Sequence, residues 1–188
     1  MPNFRNRLTR AQQRIYDRSN ATASVPLRPT SRLRAAVSAL PGILLSADRA
    51  RVEQVSQFIT DEISMVLRVV RVRIIVSGTR PSNARGELHG LYTPSSRREP
   101  ATIKVWMMTA KRGQIVAFKT YLRTLLHEIG HHLDYALLRL PESFHTDGFY
   151  RRESSLFYQI AGETVGARRA VQPEAPVPSA TAARAQLQ

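Results

Sequence analysis

A chain of 188 residues, 43% of them apolar, is long enough for one domain with its own core. It contains no cysteine, which excludes disulfides, cysteine nucleophiles and thiolate metal ligands and fits a reducing, cytoplasmic location. The formal net charge of +14 rests mainly on arginine, with Lys104, Lys111 and Lys119 the only lysines, and implies a polyanionic partner, DNA or RNA ahead of a membrane surface.

Residues 1–30 read as a partly disordered basic arm carrying Arg5, Arg7, Arg10, Arg14 and Arg18, with a Thr9-x-x-Gln12 capping box opening a short helix through Asp17. Residues 31–45 read as a helical piece broken at Pro41-Gly42. A longer helix is expected from Ser46 as N-cap, because Val52, Val55, Ile59, Ile63, Val66 and Leu67 keep the helical period. A strand follows, with Val70, Val72, Ile74 and Val76 alternating, and Ser77-Gly78 ends it. Residues 79–100 are rich in Pro and Gly, with a short strand around Leu88 to Tyr92. Ala101 to Met108 alternates again and is expected to form the edge of a cleft. Helix is predicted from about Gln114 to about Leu140, stopped by Pro141, and again from about Phe149 to Gly162. Residues 167–188 read as a disordered tail. No apolar run is long enough to span a membrane.

The predicted helix before Pro141 contains His127-Glu128-Ile129-Gly130-His131. Residues i and i+4 lie one turn apart on one face, so both imidazoles can address a single metal ion, with Glu128 beside them as a base. Leu122, Leu125, Leu126, Ile129, Leu133 and Leu137 form the apolar stripe next to that face. Gly130 costs a helix interior about 1 kcal/mol relative to Ala and marks a close neighbour beneath the metal. A catalytic zinc needs a third protein ligand and an open position. The candidates are His132, Asp134, Glu142, His145, Asp147 and Glu153. His132 points about 100° away from His131 and reads as a surface or supporting group. Asp134, three residues past His131, is placed to orient that imidazole by a hydrogen bond. Tyr135, Tyr150, Arg151 and Arg152 are candidates for oxyanion or substrate contacts.

After the first motif come thirteen residues (132–144) and then His145-Thr-Asp-Gly-Phe149. This pattern, His-Glu-x-x-His followed by a His with Phe four positions later, resembles the Spartan/SprT-like zinc metalloproteases over about residues 46–162. The resemblance implies Zn2+ on His127, His131 and His145, with Glu128 as general base. The run His131-His132-Leu133-Asp134 is similar instead to gluzincins, including the lethal-factor-like proteases, whose third ligand is a glutamate on the next helix; Glu153 is the alternative on that likeness. The fold implied is a small zincin-like α+β domain over residues 31–166, its mostly antiparallel sheet of three to four strands packed on the active-site helix. The function implied is zinc-dependent hydrolysis of peptide bonds in protein or peptide substrates, and the basic arm and strands extend that expectation to nucleic-acid-associated proteins. The alternative is a basic nucleic-acid-binding protein on a zincin-like scaffold with little or no peptidase activity.

Overall fold

The computed structural model describes residues 4–84 and 86–170, with side chains to residue 162. It is an α+β fold of five α-helices, a three-stranded sheet and a two-stranded ribbon. No helix among the described residues is long and apolar enough to cross a membrane.

Helix α1 (Arg10–Ala21) opens on the expected capping box: Gln12 N donates to Thr9 Oγ1 at 3.3 Å and Thr9 N to Gln12 Oε1 at 3.2 Å. From residue 4 on, however, the segment expected as an arm is built into the domain. Ser19, Val25 and Leu27 are buried, and α1 lies against the last helix. The contacts that hold it, polar and aromatic, are long-range, so no local periodicity discloses them.

Helix α2 (Ser31–Leu45) runs through Pro41 rather than breaking there. A proline in a helix interior costs about 3 kcal/mol. Leu33, Val37, Leu40 and Leu44 form one buried row, each contributing about 1.5–3 kcal/mol, so the row outweighs the proline. Helix α3 (Arg49–Leu67) is capped by Asp48, whose Oδ1 accepts from Arg51 N at 3.1 Å. Ser46 instead closes α2, donating its hydroxyl to Ile43 O at 2.7 Å.

Strand β1 (Arg73–Thr79) is followed by a small antiparallel ribbon of β2 (Ser82–Asn83) and β3 (Gly86–Glu87), then by β4 (Gly90–Thr93) and β5 (Thr102–Met108). The sheet order is β1-β5-β4. The pairing of β4 with β5 is antiparallel, as is the ribbon; that of β1 with β5 is parallel and sets Ile74 beside Ile103 and Val76 beside Val105. Two of the three pairings are thus antiparallel. The strand expected at the cleft edge, β5, is the central one, and β4 takes the edge.

Helix α4 (Phe118–Ala136) starts later than expected. Ile115 bridges to Met108 and Val116 N donates to Met107 O at 2.8 Å, so residues 114–116 return along β5. Helix α5 (Asp147–Ala170) runs past Gly162 through residues 167–170; the rest of the expected tail, 171–188, lies outside the described residues.

Candidate metal centre

Helix α4 has no side-chain N-cap, so packing holds it: Leu122, Leu125, Leu126, Ile129 and Leu133 are all buried against the sheet and helices. That stripe turns His127 and His131 toward an open cleft of ≈ 610 Å³ lined by Leu88 to Tyr92, Pro94, Glu128, Tyr135 and His145 among others. The chain folds back after Pro141 and brings His145 over both. Its Nε2 lies 3.0 Å from His127 Nε2 and 3.1 Å from His131 Nε2, and one nitrogen from each of the three falls within 4.8 Å of the others.

The opposite edges of two of these rings are engaged. His127 Nδ1 is 3.3 Å from Glu153 Oε2, and Glu153 Oε1 accepts from Arg123 Nη1 at 3.1 Å. His131 Nδ1 is 2.7 Å from Ser143 Oγ, which itself donates to Asp134 Oδ2 at 2.6 Å. With Nδ1 as the donor in both rings, the Nε2 lone pairs face inward. With His145 Nε2 between them, these nitrogens form a group that could hold a metal ion. Tetrahedral coordination at about 2.0–2.1 Å sets ligating nitrogens about 3.3–3.4 Å apart, so the two short separations need open by only a few tenths of an ångström. Burial first, then the neighbouring His127 and His145, hold His131 down to a pKa of about 3; burial and His127 also lower His145. Both effects favour the neutral imidazole that a metal requires.

Glu153 thus meets His127 on its Nδ1 side and is not among the three residues whose nitrogens converge, though it too lines the cleft. Asp134 supports His131 through Ser143 and not by the direct bond expected. It is 0% exposed and paired with Arg152, whose Nη2 donates to Asp134 Oδ1 at 2.7 Å. Arg152 is itself buried and spends its other contacts on Ser19 and the Thr22 carbonyl. It cannot contact substrate, which corrects that expectation. Arg151 is exposed and does not line the cleft; with Asp147, Tyr150 and Ser154 it borders a separate pocket. Tyr150 stacks on His145 with ring centroids 5.8 Å apart and remains at the site. His132 is a buried strut, not a surface group: its Nε2 is 2.8 Å from Val70 O and its Nδ1 3.3 Å from the Tyr92 hydroxyl.

Glu128 is largely buried yet lines the cleft. Burial pushes its carboxyl above the usual carboxylate range, opposed by His127 and by the backbone N–H of Tyr92 on β4. Gly90, also on β4, leaves the space in which the carboxylate sits: a Cβ there would come within 2.5 Å of Glu128 Oε1. Gly130 admits the Phe149 ring, which packs beneath all three histidines at centroid distances of 5.0, 4.7 and 5.3 Å. Ser143, Tyr92 and Gly90 escaped sequence reasoning. Each acts across a turn or a strand pairing that the sequence does not declare.

Among protein-family models, curated proteins and solved structures, none matches this chain.

Proposed function

We propose that the protein is a zinc-dependent metallopeptidase with Glu128 as general base. The observation that carries this reading is the convergence of the Nε2 atoms of His127, His131 and His145 at a cleft that Glu128 also lines. Three neutral nitrogen ligands without a thiolate suit Zn2+, which when bound acts as a Lewis acid and brings the pKa of water from 15.7 to about 7. Glu128 takes a proton from the attacking water as its oxygen bonds to the peptide carbonyl carbon. It returns that proton to the amide nitrogen as the C–N bond breaks. A base with a raised pKa suits both halves of that transfer. The edge strand β4 offers its backbone to an extended peptide, Tyr135 lines the cleft where substrate would lie, and Tyr150 stacks on His145 beside it. Arg7, Arg10 and Arg14 are exposed toward the N-terminus, which supports DNA or RNA as the surface on which protein substrates are met.

Glu128→Gln tests the reading. The variant is expected to retain one metal per chain by elemental analysis while its cleavage of an unstructured protein falls at least 100-fold. Parent-like cleavage by the variant refutes the mechanism. A parent that cleaves nothing, yet binds nucleic acid with steep salt dependence, supports the binding-protein alternative instead.

A further inference from the structure

The segment between α4 and α5 carries His145 but has little structure of its own. Its described backbone hydrogen bonds run to the end of α4, from Leu138 N to Leu133 O at 2.9 Å and from Leu140 N to Asp134 O at 2.8 Å, and within its last turn, from Thr146 N to Phe144 O at 2.8 Å. Ser143 Oγ also ties it to His131 and Asp134 on α4, and Thr146 Oγ1 accepts from Phe149 N at 3.0 Å. Further supports come from residues 4–20. Arg18 Nη2 donates to Leu138 O at 2.7 Å, and Gln12 Nε2 to Glu142 Oε2 at 3.1 Å. Phe4 and Tyr16 pack on Phe144, next to the ligand, at ring centroid distances of 6.4 and 6.1 Å. Ser19 Oγ meets Thr146 Oγ1 at 3.3 Å, and Gly148 N donates to Asn20 Oδ1 at 2.9 Å. The two segments are so close at this last point that a Cβ on Gly148 would fall on the Asn20 backbone.

A second route runs from the same helix to another histidine. Arg152 donates to Ser19 O at 2.6 Å and to Asp134 Oδ1 at 2.7 Å, and Asp134 reaches His131 through Ser143. The placement of α1 is thus felt by two of the three imidazoles. Metal binding must order whatever is not already ordered, at an entropic cost per residue. A segment pinned in advance avoids that cost.

We propose that α1 is a brace of the metal centre. Gln12 and Asn20 are positioning residues that hold residues 141–148 where His145 meets His127 and His131, so metal affinity depends on a helix that supplies no ligand. This rests on the metal-site reading above, and the experiment separates the two. The probe is Co2+ titrated into the full-length metal-free protein, followed by its visible absorption, for the parent, Gln12→Ala/Asn20→Ala, Asn20→Asp and the core control Ile63→Val.

The double variant is expected to bind Co2+ on the order of 10–100-fold more weakly. Asn20→Asp keeps an acceptor for the Gly148 N–H and is expected to stay near parent affinity, as is Ile63→Val. A general loss of stability would weaken the control as well. Parent-like affinity and spectrum in the double variant overturn the brace. If the parent takes up no Co2+, the metal reading fails, and hydrogen exchange of the metal-free proteins still decides the brace. Residues 141–148 must exchange faster in the double variant than in the parent, and equal rates overturn it.

Discussion

A methyl group at position 90 has nowhere to go. Its carbon would lie 2.5 Å from Glu128 Oε1 and 2.7 Å from Cγ. The carboxylate is the flexible end of a side chain, so it yields by rotating away from the Tyr92 N–H, and the fold survives. Gly90→Ala is therefore expected to keep its melting temperature and metal content while kcat drops on the order of 100-fold, the usual worth of a positioned base. Steady-state kinetics beside metal analysis checks this; unchanged kcat would show that Glu128 does not need its cradle. Arg152 fails in the opposite way. Asp134 is sealed from solvent, and its charge is answered by that guanidinium and by Ser143. Arg152→Met strands the carboxylate, and denaturant unfolding is expected to show a loss of about 3–5 kcal/mol, partly restored when Asp134→Asn is added. At this scale the sequence declares only what one helix turn can align. His127, Glu128 and His131 are legible because i and i+4 share a face. Ser143 and Arg152 are not, because an ordinary serine and one arginine among many acquire their roles only when α5 folds back onto α4.

The sheet has two edges, and the elements beside them treat these differently. Along β1, side chains from one face of α3 take up the outward backbone groups. Gln57 Nε2 donates to Val72 O at 3.1 Å and its Oε1 accepts from Ile74 N at 2.8 Å. Glu53 Oε2 accepts from Val76 N at 2.8 Å, and Arg49 Nη1 donates to Val76 O at 3.2 Å. Residues 49, 53 and 57 are one helical turn apart, so they imitate a neighbouring strand and close the edge to other chains. Among the described residues the β4 edge carries no such row; it lines the cleft, and the Tyr92 N–H there is directed at Glu128. Glu53→Ala/Gln57→Ala is expected to reopen β1 and produce larger species than the parent in sedimentation velocity at equal concentration; identical profiles would show the row is dispensable. The 49-53-57 spacing is visible in the sequence as a polar helix face, but its partner is not. Periodicity located α3, β5 and α4 within a few residues. It erred at boundaries: Asp48 took the cap expected of Ser46, and α2 continued through Pro41, with buried Leu40 and Leu44 on either side of it.

For the molecule as a whole, the proposed ligand set joins parts that are distant along the chain. Two of the converging histidines sit on α4, the third lies in the segment that α1 contacts, and α1 begins more than a hundred residues earlier. Composition alone made residues 1–30 look detachable, because a run of arginines with few large apolar groups cannot build a core by itself. With α1 docked on α5, residues 4–30 need only a few buried groups, Ser19, Val25 and Leu27, to become structural. A metal bound across this junction should therefore stabilise the whole domain and not just its own loop. Any ligand that binds only the folded state adds RT ln(1 + [L]/Kd), about 2.7 kcal/mol at a free concentration of 100 Kd. For a domain of this size each kcal/mol moves the melting temperature by roughly 2–4 °C. Stripping the parent with a chelator is thus expected to lower its melting temperature on the order of 5–10 °C, with excess Zn2+ restoring it. In His145→Ala the third ligand is missing before the chelator is added, so its melting temperature should respond far less to either treatment. Equal chelator shifts in parent and variant would place the stabilising ion elsewhere. No shift in either would mean that the three imidazoles meet without holding a metal that the fold uses.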